Sequence, residues 1–243
     1  MKKLTILLLA LSSISVQAQW WGNRVKGNGN YVTVERSVGD YDEVAVAGFF
    51  DVELVAGEEG ELKVYGEENL LEHIITEVKG DRLKIKTEKG YNLKPSSWKK
   101  GKGIKITVPI KDIDAVYLSG SGDVYGDVTI NSDVFDTSVS GSGDITLKVK
   151  ASKVEASVAG SGDLRLSGTT DEFDAKVAGS GDIHAFDLSS NYTEVSVAGS
   201  GDARVNASEE IKARVAGSGD IRFSGNPKKQ DTKTSGSGDI SKS

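Results

Sequence analysis

The stretch "VEASVAGSGDLRLSG", residues 154 to 168, decides how this chain folds. Val154, Ala156 and Val158 alternate with Glu155, Ser157 and Ala159, and Leu164 and Leu166 alternate with Asp163 and Arg165. A period of two reads as β-strand with one buried face. Counting by twos from Val158 passes through Gly160 and Gly162 to Leu164, so the alternation runs through the Gly-Ser-Gly-Asp motif without a break. Both glycines fall on the inward phase. Glycine belongs where a β-segment bends sharply or a second backbone comes close, because a Cβ would collide there. The expectation is a tight corner lined by the two glycines, with Ser and Asp pointing outward.

The motif occurs seven times, beginning at Gly120, Gly141, Gly160, Gly179, Gly199, Gly217 and Gly236. Self-similarity at 18 to 21 residues marks a stacked-repeat architecture. One unit of strand, corner and strand cannot bury its own inner face, whereas stacked units share a continuous core. The predicted fold is all-β, a parallel β-helix-like solenoid with ~19-residue coils cornered at Gly-Ser-Gly-Asp. Right-handed winding is the commoner expectation for parallel connections. Seven coils would rise roughly 29 Å at a strand spacing of about 4.8 Å. The inward residue midway along the preceding strand is often small (Ala156, Ala175, Ala213), which fits a thin core. Polar segments between copies, "SGTTDE", "DLSSN", "NASEE" and "SGNPKKQ", read as loops. The last copy, "DTKTSGSGDISKS", puts Thr232 and Thr234 where aliphatics stood and reads as a polar cap on the stack edge.

The beginning of the chain has a different character. Lys2 and Lys3, the apolar run Leu4 to Val16 and the small-residue site ending at Ala18 read as a secretory signal peptide, residues 1–18. No later segment approaches membrane-spanning length, so no transmembrane segment is expected after signal cleavage. Residues 19–112 read as an amino-terminal β region with irregular coils, and 113–243 as the regular solenoid. "EVAVAGFFDVELV" keeps the solenoid phase through Val44, Val46, Gly48, Phe50, Val52 and Leu54. Phe49 and Phe50 stand in place of Ser and Gly there, so a wider corner is expected. A helical turn near Asn69 to Glu72 and strands at Ile74–Val78 and Leu83–Lys86 follow.

Composition bounds the function. There is no Cys, so neither disulfides nor thiolate metal sites are available. A formal charge of −6 offers no basic excess for phosphates and argues against nucleic acid as partner. No Gly-x-Ser-x-Gly, phosphate loop or zinc-type His pair occurs, and the carboxylates repeat uniformly instead of forming one singular cluster. No cofactor is implied. His184 falls on the outward phase, and His73 has no evident partner.

Three features carry candidate chemistry. Asp123, Asp144, Asp163, Asp182, Asp202, Asp220 and Asp239 would stack as a column. At about 4.8 Å, neighbouring carboxylates repel by about 0.9 kcal/mol in water and roughly four times that at an effective dielectric of 20. Corner N–H groups could relieve this, or a row of Ca²⁺ ions between rungs. The calcium-binding β-roll spaces its Asp differently and on half this period, which favours the hydrogen-bonded reading. The segment "YNLKPSSWKKGKG", residues 91 to 103, offers Tyr91 and Trp98 as flat faces for sugar rings, against a plain solvated loop whose lysines guard a strand edge. Lastly, the outward Ala/Ser, Ser and Asp columns exclude large side chains, and Ser161 and Ser180 are the residues of that face to test first.

A secretory signal, the segment Arg36 to Leu54 ("RSVGDYDEVAVAGFFDVEL") and the serial Gly-Ser-Gly-Asp rungs together resemble the putative auto-transporter adhesin, head GIN domain family, mostly from Bacteroidetes-type bacteria. The resemblance covers essentially the whole chain after the signal. It implies a β-solenoid at the cell envelope: periplasm, outer-membrane surface or extracellular. The function expected is a non-catalytic adhesin-like scaffold binding a glycan or an envelope or surface protein. The alternative is an envelope carbohydrate-active enzyme built on a β-helix, since such coils can host paired carboxylates.

Overall fold

The computed structural model describes residues 23–97 and 103–243. The expectations placed on the signal peptide and on Trp98 therefore lie outside the described residues. The chain winds as a β-solenoid whose coils repeat every ~19 residues over about seven turns. Strands preceding each corner lie parallel and in register: Glu43–Gly48, Ala115–Gly120, then the ends of Val124–Gly141, Ile145–Gly160, Leu164–Gly179 and Leu188–Gly199, then Glu210–Gly217 and Lys229–Gly236. Gly48, Gly120, Gly141, Gly160, Gly179, Gly199, Gly217 and Gly236 form one column through that register.

The core is a filament of inward side chains shared between coils. Phe135, Val154, Phe173 and Ile211 are fully buried, as are Val124, Ile145, Leu164, Ile183 and Ile221 beyond the corner. Each coil alone would expose these residues, and stacking removes them from water on both sides. Thr137 occupies the inward column between Val116 and Ala156, and its hydroxyl is buried without a hydrogen-bond partner. Replacing Thr137 with Val removes that unsatisfied group at nearly constant shape, and is expected to raise stability by about 1 kcal/mol in urea unfolding.

One expectation needs correction in part. Two of the four polar segments between motifs are not loops: "SGTTDE" lies inside the continuous strand Leu164–Gly179 and "SSN" inside Leu188–Gly199, whereas "NASEE" and "SGNPKKQ" do carry the loops that lead into Glu210–Gly217 and Lys229–Gly236. In-register neighbours supply hydrogen-bond partners at each residue, so a hydroxyl-rich segment stays extended and only bends. The bends appear where the burial phase slips, with Asp171 and Glu172, and Asn191 and Tyr192, consecutively exposed. The corner at Gly48 lacks the positive φ of the later first glycines but keeps their hydrogen bonding. Its carbonyl accepts the amides of Ser121 at 2.9 Å and Gly122 at 3.2 Å, the same pair of bonds that joins every later corner. Phe50 is buried, and its ring lies where a Cβ on Gly48 would point. That is the direction in which each later glycine meets the preceding coil, so the ring plugs the base of the column.

Below Glu43–Gly48 the parallel stack continues through Arg82–Thr87, and below Asp51–Ala56 through Lys105–Ile110. Antiparallel pairs then close this end: Tyr31–Ser37 on Glu61–Glu67, and Ile74–Lys79 on Arg82–Thr87. The helical turn is Glu68–Leu71, with Leu70 and Leu71 buried. Arg36 ties it down, donating to the carbonyl of Leu71 at 2.6 Å and to that of Ile74. At the other end Lys229–Gly236 is exposed along its whole length.

Candidate functional site

The site is assembled by the glycine corners. At each corner the first glycine takes a φ between +128° and +141°, open to glycine but strained for other residues. The collision that excludes a side chain is axial and not directed at the core. A Cβ on Gly160 would sit 2.3 Å from the carbonyl oxygen of Gly141, and one on Gly162 would sit 2.0 Å from that of Gly143. The glycines thus let consecutive coils approach to hydrogen-bonding distance, and the Gly160 carbonyl accepts the amides of Ser180 at 2.9 Å and Gly181 at 3.0 Å.

The same approach explains the Asp column. One carboxylate oxygen of each Asp accepts the backbone N–H of the Asp one coil further on: Asp123 from Asp144 (3.0 Å), Asp144 from Asp163 (2.9 Å), Asp163 from Asp182 (3.2 Å), Asp182 from Asp202 (2.8 Å), Asp202 from Asp220 (2.8 Å) and Asp220 from Asp239 (2.9 Å). Asp51 opens the series by accepting from Asp123. A charged acceptor on an amide is among the stronger hydrogen bonds. Asp163→Ala leaves the Asp182 amide without its acceptor and is expected to cost about 1–2 kcal/mol, while Asp163→Asn, which keeps an oxygen there, should cost less than half as much. Urea midpoints at constant m-value measure both.

Part of the remaining repulsion is met by the next outward column, which carries Thr146, Arg165, His184, Arg204 and Arg222 in register. Arg165 bridges Asp144 at 3.4 Å and Asp163 at 2.9 Å. His184 is therefore not simply exposed. Its Nε2 stands 3.7 Å from Asp163 and 3.9 Å from Asp182, and Arg204 lies 3.3 Å from its Nδ1. Asp163, Asp182 and His184 lie close enough to share a metal ion. A guanidinium can only donate, so Arg204 fixes Nδ1 as an acceptor and leaves the Nε2 proton facing the carboxylates. With Nε2 facing both carboxylates and Asp163 held by Arg165, the cluster is balanced by the alternation of carboxylates with basic groups. Ca²⁺ or a chelator is accordingly expected to leave the melting temperature unchanged.

Outside the glycines runs a ribbon of small residues. Ala47, Ser119, Ser140, Ala159, Ala178, Ala198, Ala216 and Ser235 are stacked and exposed, and Ser121, Ser142, Ser161, Ser180, Ser200, Ser218 and Ser237 form an exposed column beside them. Ser161 and Ser180 are thus brought together on adjacent coils. Low in the stack Tyr117 borders this face. Its hydroxyl donates to Asp136 at 2.8 Å, and Arg82 lies 4.9 Å from its ring centre. Burial and the Asp136 carboxylate push its pKa up to about 12.

Tyr91 sits elsewhere, in Tyr91–Lys94 paired with Asn23–Lys26. One face of its ring is covered by His73, with ring centres 3.9 Å apart, and His73 also contacts Glu88 at 2.9 Å. His73 therefore has two partners that its sequence neighbours did not reveal. Two further features escaped the sequence reading. Tyr192 is 51% exposed beside a depression of about 280 Å³ bordered by Glu172, Asp174 and Glu194. A trough of about 700 Å³ crosses the coils near Thr169 and Ser189. The signal for the trough was hydroxyls on outward positions of "SGTTDE" and "DLSSN", whose composition reads as loop, and for the depression the aromatic Tyr192 just beyond.

An in-register parallel β-solenoid of ~19-residue coils places the chain in the class of stacked-repeat proteins. The chain belongs to the family described as "putative auto-transporter adhesin, head GIN domain", which it matches over residues 40–227. Among solved structures it is similar to a putative adhesin from Bacteroides fragilis, at 25% identity and a TM-score of 0.80, covering 90% of this chain and 100% of that one. It is also similar to a putative lipid binding protein from Parabacteroides distasonis, at 28% identity and a TM-score of 0.71, covering 91% and 100%. A putative adhesin from the same species matches at 26% identity and a TM-score of 0.71, with the same coverage. No curated protein matches the chain. Among the described residues no helix is long and apolar enough to cross a membrane.

Proposed function

We propose that this chain is a non-catalytic, adhesin-like scaffold exported to the cell envelope, which presents its small-residue ribbon to a glycan or a surface protein. The observation that carries the reading is the unbroken exposure of the Ala/Ser column over eight stacked corners and of the Ser column over seven. Such a surface loses almost no side-chain entropy on binding, and an extended partner can lie close to its backbone. The Asp and Arg columns beside it supply fixed charges that orient a polar partner. The carboxylates support display more than catalysis, since each of the inner ones is committed to a backbone amide. The adhesin names of similar structures point the same way.

Residues 23–112 serve in this reading as the foundation that starts the stack, and 113–243 as the display surface. The segment around Tyr91 and Trp98 is a second contact, with the half-exposed Tyr91 available to the edge of a sugar ring. Purified protein is applied to an array of immobilised glycans and extracellular-matrix proteins. Ser161→Arg with Ser180→Arg should weaken capture about tenfold without lowering the melting temperature, since both positions are exposed. Unchanged capture by that variant removes the ribbon as the binding face, and unchanged capture by Trp98→Ala removes the loop.

A further inference from the structure

The trough near Thr169 and Ser189 has a composition unlike the charged columns around it. Its floor is Thr170 and Ser190, 7% and 3% exposed, whose hydroxyls are held by the backbone: Thr170 donates to carbonyls of Ser152 and Glu172, and Ser190 to that of Asn206. One wall is a hydrogen-bonded chain across three coils, in which Ser208 donates to Asn191 at 2.8 Å and Asn191 donates to Asp171 at 2.9 Å. The opposite rim is Lys150, Thr169 and Ser189, stacked in register. The rim hydroxyls of Thr169 and Ser189 point outward and have no bonding partner within the described chain. Lys150 and Asp171 are the two charged residues of the lining, and they cancel.

The geometry points to a binding groove for a neutral oligosaccharide lying along the stack axis. Its volume of about 700 Å³ falls in the range of small-molecule sites. The free rim hydroxyls of Thr169 and Ser189, each able to donate and accept, in a lining with no net charge, match the hydroxyls of an uncharged sugar and disfavour a polyanion. The rim repeats once per coil, at about 4.8 Å, a spacing close to the residue repeat of an extended pyranose chain. Two successive sugars can therefore meet the hydroxyls of Thr169 and Ser189 on adjacent coils. Because the floor and wall are already bonded into the ladder, the groove is formed before the ligand arrives and little ordering opposes binding. The trough and the small-residue ribbon occupy different stretches of the coil, so the two sites succeed or fail independently.

The test uses the full chain on an array of neutral gluco-, manno-, xylo- and chito-oligosaccharides printed beside carboxylated and sulfated ones. Wild-type protein should retain neutral oligosaccharides. Thr169→Arg with Ser189→Arg, which fills an exposed rim, should weaken that retention at least about tenfold. Thr169→Val with Ser189→Ala, which removes the hydroxyls without bulk, should weaken it less and in the same direction. Ser161→Arg with Ser180→Arg should leave it unchanged. The inference is overturned if only acidic glycans bind, if no oligosaccharide is retained, if both rim variants bind like wild type, or if retention falls only in the ribbon variant.

Discussion

Gly162→Ala is expected to destroy the cooperative fold or to cost more than about 4 kcal/mol, far above the usual effect of adding one methyl group. The added Cβ would lie 2.0 Å from the Gly143 carbonyl oxygen, 3.0 Å from the Gly143 carbonyl carbon and 3.0 Å from a Val139 methyl. Two of the three atoms belong to the backbone of the coil below, which is fixed by its own ladder on both sides. Relief requires the coils to part, and parting breaks the adjoining amide bonds from Ser161 and Gly162 to Gly141 and from Asp163 to Asp144. Gly162 is not among the positive-φ glycines, so the loss is one of space alone. Gly29→Ala is the contrast: φ is +77° and no atom lies within 4 Å of the added Cβ, so only the left-handed penalty of about 1–2 kcal/mol remains. Urea unfolding followed by circular dichroism separates the two substitutions. A Gly162→Ala protein within 1 kcal/mol of wild type, on the order of an ordinary surface change, would mean that the coils are not in this contact.

Glu67→Ala is the second large effect. Glu67 is 2% exposed at the end of Glu61–Glu67, and its carboxylate accepts the amides of Gly29 at 2.6 Å and Ser96 at 2.8 Å. It thereby ties the turn after Asn23–Lys26 and the segment after Tyr91–Lys94 to the base of the stack. Removing it strands two amides and opens a space beneath Gly27, for a loss of about 3 kcal/mol. Burial alone would push the Glu67 carboxyl up, but the hydrogen bonds from Ser96 and Gly29 outweigh it and hold the carboxyl below its ordinary range. A depressed folded pKa means that the stabilisation is fully present above the unfolded value near 4.3 and is lost as pH falls through the folded pKa. Wild type should therefore lose stability below about pH 4 more steeply than Glu67→Gln, measured by melting temperature against pH. Parallel curves would show that Glu67 does not carry the acid sensitivity.

The coil and its period were legible in residues 154–168 because stacking imposes the same demand on every repeat. A glycine that has no room in one coil has none in the next, so the requirement is written seven times. The Asp column was legible for the same reason, and hydrogen bonding to corner amides was one of its two readings. What could not be read was direction. Alternation tells inward from outward, yet the decisive collision at Gly162 points along the axis. The antiparallel closure at the base was hidden because strand pairing such as Tyr31–Ser37 on Glu61–Glu67 is non-local and appears once. Glu67 lies 38 residues from Gly29 and looked like any surface acid. The trough was misread because Ser, Thr, Asn and Gly favour turns in isolation, whereas in "SGTTDE" the neighbouring coils hold them extended. Local preference gave way to tertiary hydrogen bonding there.

The most direct test of the stack is nuclear Overhauser contacts in deuterated, amide-protonated protein. The Ser180 amide should show contacts to those of Ser161 and Ser200, one coil away on either side, and Asp182 should likewise reach Asp163 and Asp202. Contacts confined to residues near in sequence would contradict the in-register solenoid and, with it, both surfaces built upon it.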